Sequence, residues 1–420
     1  MPTDTADPPN VVVVFADDQG FGDIGCFGSP YIETPNLDGM ASEGAKFTSC
    51  YAGAPICTPS RASLLTGSYP ARVGLEEWVL FPGDEEGLHP DEVTIPEVLD
   101  EAGYASTCLG KWHLGDREPF LPTNHGFDSY LGVPYSNDMG AAHTDGEYRE
   151  LPLMRDTEVV EAPVDQSTLT RRYTEAAVEF IEDNRDGPFF CYLAHTMPHV
   201  PLHASEAFDG ASRRGDYGDA IEEIDWSVGR ILSTLDRLGI DEETLVIYTS
   251  DNGPWLEKGV DGGSPGHLSG GKFSVEEGGP RVPAIARWPG TIPAGSVCSE
   301  LLTTLDLLPT LANLAGVDLP ADRVIDGQDA TALLREPDSA DSPRDSYVYQ
   351  IGGGDFGAVR DADGWKLRLD TDELYHLHSD VEERFDVADA HPEIADRLRE
   401  TARSLATDLS ENARPVGRVE

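Results

Sequence analysis

The chain has 420 residues, 39% of them hydrophobic and 8% aromatic, enough to pack one large α/β domain or a large domain with a smaller one. It carries 77 acidic side chains against 30 Lys and Arg, a formal net charge of −47. That excess excludes a general nucleic-acid binder, which needs a basic face against phosphates, and argues against docking on anionic membranes.

The acid is spread along the whole chain, and only five lysines occur: Lys46, Lys111, Lys258, Lys272 and Lys366. The composition is of the halophilic kind. The first ten residues hold two Asp and no Lys or Arg, so they do not read as a secretory leader. The apolar run at 11–16 is strand length, far short of the roughly 20 residues of a membrane span. Six cysteines with no CxxC pair predict buried free thiols in a reducing, cytoplasmic setting.

In chain order, apolar β-type runs fall at 11–15, 105–109, 189–193 and 244–249. They lack two-residue alternation, as expected for strands covered on both faces. Thr94-Ile95-Pro96-Glu97 reads as a capping box with proline in the first turn, opening a helix that stops near Gly103. Residues 169–184 and 220–238 have helical apolar spacing, and Gly239 caps the second. Strands alternating with helices predict an α/β sheet. Beyond about residue 335 the texture changes. Short strands at 347–351, 357–360 and 366–369 precede a helical tail at 392–409. The expected organisation is a catalytic α/β domain over 1–335 and a smaller subdomain over 336–420, an antiparallel sheet with a terminal helix.

Each apolar run leads into unusual polar residues: Asp17-Asp18-Gln19-Gly20, Gly110-Lys111-Trp112-His113, His195-Thr196-Met197-Pro198-His199 and Ser250-Asp251-Asn252-Gly253. Open α/β sheets bind ligands beyond the carboxyl ends of their strands, so these clusters are expected in one cleft. Adjacent carboxylates repel unless something positive lies between them, and Asp and Asn oxygens suit a hard cation such as Ca²⁺ or Mg²⁺. In Pro55-Ile56-Cys57-Thr58-Pro59-Ser60-Arg61, Pro59 suits the first turn of a helix ending near Gly67. Cys57 then stands at the helix N-terminus, where free N–H groups favour an anion or thiolate, with Arg61 one turn on. This stretch supplies no histidine base for a bare cysteine nucleophile.

Cys57-Thr58-Pro59-Ser60-Arg61, with Leu64-Leu65-Thr66-Gly67 downstream, resembles the sulfatase signature C-x-P-S-R. Gly103-Tyr104-Ala105-Ser106, running to Gly110-Lys111-Trp112-His113, resembles the family's second signature and departs from it at Leu109. The likeness extends from Pro9-Asn10-Val11 to Asp372-Glu373-Leu374-Tyr375 and is similar to the arylsulfatase A and N-acetylgalactosamine-6-sulfatase branch. It implies an alkaline-phosphatase-like α/β sandwich: a large mixed central sheet flanked by helices, plus the small C-terminal antiparallel sheet. It also implies a sulfuric ester hydrolase that cleaves an aryl or carbohydrate sulfate monoester. Its cofactors would be a divalent cation, usually Ca²⁺ with Mg²⁺ possible, and formylglycine made from Cys57 by a formylglycine-generating enzyme.

Residue by residue, the resemblance makes Asp17, Asp18, Asp251, Asn252 and modified Cys57 the metal ligands. Arg61 would hold the formylglycine hydrate, and Lys111 would bridge it to the sulfate. His113 would take a proton as sulfate leaves, and Asp251 would handle the proton of the attacking hydroxyl. Ser136, in Pro134-Tyr135-Ser136-Asn137-Asp138, matches a sulfate-contacting serine. His199 is preferred to His195 because it matches the family's histidine–x–proline element. Lys272, ahead of Glu277-Gly278-Gly279, matches the second sulfate-binding lysine. Lys272 or His199 would protonate the leaving oxygen. Two rivals remain: a phosphate or phosphonate monoester hydrolase, and a non-catalytic binder of sulfated glycans with unmodified Cys57.

The charge itself generates a prediction. Self-repulsion at this density destabilises a compact state in dilute buffer, whereas at molar salt the screening length falls to about 3 Å. The melting temperature, followed by circular dichroism, should rise steeply between dilute and molar KCl; an unchanged value contradicts the halophilic reading.

Overall fold

Val11, Val12, Val13 and Val14, none more than 1% exposed, alternate between two cores and so fix the sheet as a middle layer. The computed structural model describes residues 8–351 and 356–419. Val11, Val13 and Phe15 pack with Leu64, Leu65, Leu308 and Leu311, from the helices Cys57–Thr66 and Leu307–Ala315. Val12 and Val14 face Leu37, Tyr173, Ile221 and Ile224, from Pro35–Glu43, Leu169–Asn184 and Asp216–Leu238. A fully buried valine contributes roughly 1.5–3 kcal/mol, so these layers are a principal source of stability.

Five central strands run parallel, in the order Thr244–Ser250, Asn10–Ala16, Phe189–Ala194, Ala105–Lys111, Ser129–Val133. Antiparallel Arg281–Arg287 and Ala45–Tyr51 extend one side, and Leu153–Arg155 and Glu158–Glu161 the other, giving the mixed sheet. Register brings the carboxyl ends level: Ala16 lies beside Ser250, Phe15 beside Ala194, and Gly110 beside Ala194. Gly110 has φ +110°, and a Cβ there would stand 1.7 Å from the Ala194 carbonyl oxygen. Only glycine lets the backbone pass so closely just before Lys111.

All four expected central strands are present. The capping box forms, with Glu97 accepting from Thr94 N–H at 2.8 Å, but the helix spans Ile95–Asp100 and stops short of Gly103. The 220–238 helix starts earlier, at Asp216, where two aspartates in the first turn favour its positive end. The C-terminal sheet has a fourth strand, Leu374–His376, after Ser346–Gln350, Phe356–Asp361 and Trp365–Arg368, and the closing helix is Pro392–Glu411. Residues 336–345, where the second unit was expected to begin, lie between the helix Thr331–Arg335 and the strand Ser346–Gln350. The six cysteines are free, five of them buried. Among the described residues no helix is long and apolar enough to cross a membrane.

Candidate active site

The strand ends deliver their polar residues to one buried cluster. Asp17 N–H donates to Met197 O and Asp251 N–H to Ala16 O, both at 3.1 Å, tying three strand ends together. Asp18 adopts φ 62°, a left-handed turn that lets its N–H donate to Asp251 Oδ1 at 3.0 Å. Asp17, Asp18 and Asp251 are each at most 3% exposed.

Three cations answer these three carboxylates. Lys111 Nζ meets Asp17 Oδ2 at 2.7 Å. Lys272 Nζ meets Asp18 at 2.7 Å and approaches Cys57 Sγ at 3.5 Å. Arg61 donates from Nε and Nη2 to Asp251 Oδ2 at 3.1 and 2.9 Å, and Nη1 donates to the Lys111 carbonyl at 2.8 Å. Burial alone would raise the pKa of Asp17, but Lys111, His199 and Arg61 hold it below the usual carboxylate value. Asp18 is depressed likewise, with burial outweighed by Lys272 and His199. Lys111 and Lys272 stay charged, since their carboxylate partners overcome a desolvation that opposes them.

Cys57 begins the helix Cys57–Thr66 after extended Ile56, 1% exposed, with Gly67 closing the helix at φ 61°. Its Sγ is 3.7 Å from Asp17 Oδ1. Burial, with Asp251 and Asp17 nearby, pushes the thiol pKa up despite Lys111 and Lys272, so the unmodified side chain is a neutral thiol and a poor nucleophile. Thr58 braces the loops, donating to the His113 carbonyl at 2.8 Å and accepting from Leu80 N–H at 3.2 Å.

Ser136 links the lysine to a histidine: its Oγ accepts from Lys111 Nζ at 3.3 Å and lies 3.3 Å from His199 Nε2. His199 Nε2 is 3.5 Å from Asp18 Oδ2. His199 therefore joins the cluster. His195 is wholly buried, both ring nitrogens lack hydrogen-bond partners, and burial pulls its pKa down to about 3. His113, also at φ 63°, holds Leu80 O through Nε2 at 3.0 Å, whereas its buried Nδ1 has no partner. Burial, then Lys111 and Arg61, keep its pKa well below the ordinary histidine value.

The donor set can hold a divalent metal ion, with the carboxylate and amide oxygens suited to a hard one. One ligand atom from each of Asp17, Asp18, Cys57 and His199 lies within 4.8 Å of the others. Asn252 donates to Asp18 Oδ1 at 2.8 Å, while its own Oδ1 is buried without a partner, a carbonyl oxygen open to a cation. Asp251 falls outside that four-residue group and is instead engaged by Arg61.

Several supporting residues carried no role in the sequence reading. Asn137 Oδ1 lies 3.1 Å from His199 Nδ1, and its amide donates to Pro201 O at 3.1 Å. Trp255 places its ring 5.6 Å from that of His199 and 4.6 Å from Lys272 Nζ. Glu277, fully buried, accepts from Tyr51 and Tyr349 at 2.5 Å and pairs with Arg281 at 3.1 Å and Lys366 at 3.0 Å. Lys366 also bonds Val275 O at 2.7 Å and Glu383 at 2.7 Å, and Glu383 accepts from Glu277 N–H at 2.7 Å. The C-terminal sheet thus clamps the loop that carries Lys272. The one available signal was that Lys366 is one of five lysines.

An alkaline-phosphatase-like sheet with a charge-balanced acid cluster at its carboxyl edge defines the class, a hydrolase. The chain belongs to the sulfatase family, whose pattern matches residues 9–317, and the C-terminal pattern of N-sulphoglucosamine sulphohydrolase matches 271–408. It is 43% identical to arylsulfatase A of Homo sapiens over 82% of this chain and 71% of that protein. It is 44% identical to N-acetylgalactosamine-6-sulfatase of Mus musculus over 80% of this chain and 68% of that one. The structure of PsFucS1 sulfatase from Pseudoalteromonas sp. superposes with a TM-score of 0.87 at 29% identity, covering 98% of this chain and 92% of that one.

The clamp predicts a measurable coupling. Lys366→Met leaves Glu277 and Glu383 buried without their shared cation, a loss of about 3–5 kcal/mol in denaturant unfolding. Burial would raise the Glu277 pKa, but Lys366, Arg281 and Arg360 depress it. Its contribution is complete above the ordinary glutamate value of 4.5 and is lost as pH falls below it, so wild type and variant should converge in acid. An undiminished unfolding free energy in the variant at neutral pH contradicts the clamp.

Proposed function

We propose that this sulfatase hydrolyses an aryl or carbohydrate sulfate monoester with a formylglycine derived from Cys57 and a divalent cation, Ca²⁺ or Mg²⁺. The observation that carries the reading is the burial of Cys57 among three carboxylates and three permanent cations, at a helix N-terminus. The helix N-terminus favours an anion at residue 57, and the burial leaves an unmodified thiol inert. Formylglycine at position 57 would supply, as its hydrate, a geminal diol with one hydroxyl for attack on sulfur and a second for release of sulfate. A divalent cation would be held by Asp17, Asp18, Asp251 and Asn252 beside residue 57, and would supply positive charge where the ester oxygens gain electrons.

This chain's side chains do the rest. Lys111 Nζ, Ser136 Oγ, His199 and Lys272 Nζ bind and orient the sulfate, and Arg61 fixes the carboxylate of Asp251. Asp251 accepts the first proton, and Lys272 or His199 delivers one to the leaving oxygen. The unpartnered Nδ1 of His113 takes a proton when sulfate leaves, a role suited to an imidazole kept neutral by its surroundings. Asn137 steadies the His199 ring, and burial excludes water from the reacting atoms. The catalytic unit spans 1–335, and the 336–420 subdomain acts through the clamp on the Lys272 loop. Maturation by a formylglycine-generating enzyme belongs to the same reading.

Cys57→Ala should abolish turnover of an aryl sulfate while leaving the circular dichroism spectrum and melting temperature intact. The unsubstituted enzyme should turn over aryl sulfate faster than aryl phosphate under one salt condition. Activity retained in the variant excludes the covalent route. A preference for phosphate by orders of magnitude favours the phosphate or phosphonate monoester hydrolase instead.

A further inference from the structure

Away from the catalytic cluster, a cleft of ≈ 700 Å³ lies among the strands Ala45–Tyr51 and Arg281–Arg287, the 21–28 segment and the C-terminal sheet, lined by Lys46, Arg281, Arg360, His267 and His378. No Asp or Glu lines it, in a chain with 77 of them. Chance would leave a surface depression of this protein acidic. Three of the 30 Lys and Arg and two of the 11 His gather here instead.

Among the described residues, two of these cations have no carboxylate in ion-pair contact. Lys46, half-buried, bonds only the Cys26 carbonyl at 3.0 Å and lies 5.8 Å from the Phe27 ring, and among the described residues it has no ion-pair partner. Arg360 is 1% exposed; its Nη1 donates to Tyr51 Oη at 2.5 Å and its Nε to Asp361 O at 3.1 Å, while Nη2 has no acceptor. A buried guanidinium without a carboxylate against it is costly. The adjoining buried network holds three cations, Arg281, Arg360 and Lys366, against two carboxylates, Glu277 and Glu383, so one positive charge remains over. Asp38, whose charge acts on Cys26 beside Lys46, spends Oδ1 on the Cys26 N–H at 2.6 Å. Glu382 and Glu300 act on His267 and His378 from outside the lining.

We infer that this cleft is a second oxyanion site, binding a sulfate group between Lys46 and the Arg281–Arg360 pair. The sulfate is either the free inorganic ion or a group borne on a larger sulfated molecule, for which the cleft has room. The site makes and breaks no bond, and it does not depend on the chemistry at residue 57.

The test uses sodium selenate as an anomalous-scattering sulfate analogue soaked into crystals of the full chain, unsubstituted and Lys46→Gln. The expected result is an anomalous peak beside Lys46 Nζ that disappears in the variant. No peak in the cleft of the unsubstituted protein, or one that persists in Lys46→Gln, overturns the site. Calorimetric titration of Cys57→Ala with inorganic sulfate and, separately, a polysulfated oligosaccharide, at matched ionic strength, distinguishes the sources. Adding Lys46→Gln should weaken the ligand that uses the cleft about tenfold; equal affinities for both ligands with and without it contradict the proposal. Lys46→Gln alone should leave turnover of a small aryl sulfate unchanged.

Discussion

Three carboxylates buried side by side, Asp17, Asp18 and Asp251, are the constraint on which the rest of the molecule is arranged. Taking them out of water costs several kcal/mol each unless cations meet them with good geometry. Arg61, Lys111 and Lys272 do so from three different segments: the Cys57–Thr66 helix, the Ala105–Lys111 strand and the loop before Arg281–Arg287. The parallel register that brings Ala16, Ala194, Gly110 and Ser250 level, and the glycine at 110 that permits it, are what allow these charges to meet.

The same constraint gives meaning to the lysine count. A chain that places 77 acids mostly in contact with solvent has little use for surface lysine, yet Lys111, Lys272 and Lys366 are all at most 8% exposed. A compact ammonium has three donors and a flexible stem, so it can bridge several acceptors in a confined space. Lys366 illustrates this, joining Glu277, Glu383 and the Val275 carbonyl. The C-terminal sheet is thereby coupled to the Lys272 loop through charge as well as apolar packing. The sulfatase pattern ends at residue 317, and the separate C-terminal pattern of N-sulphoglucosamine sulphohydrolase overlaps it from 271 and runs to 408, across the same loop and sheet.

Legibility in the sequence followed physical context. The four central strands were visible because both faces are buried and their apolar runs end abruptly in charge. Ala45–Tyr51 was missed although Lys46 and Thr48 alternate with Ala45 and Phe47 as in a half-buried strand, because it lacks the continuous apolar run of the central strands. Arg281–Arg287 was hidden by Pro283, which a central strand should not contain; the register shift between Val282 and Ala284 accommodates it. In the site, short-range spacing exposed Cys57, Arg61, Lys111 and the paired acids. Asn137, Trp255, Glu277 and Lys366 act across long sequence separations, and nothing local distinguishes them from polar surface or ordinary core. The unpartnered Nη2 of Arg360 exists only once the fold has brought Tyr51, Glu277 and Lys366 around it.

The central claim is that Cys57 is converted before the enzyme works, and peptide mass tests it most directly. Protein from its native source, alkylated on its thiols and digested with trypsin, yields residues 47–61, which contain Cys50 as an internal control. The account predicts one alkylated cysteine, at 50, and an aldehyde at 57 that reacts with a hydrazine probe. Two alkylated cysteines in catalytically active protein would contradict it.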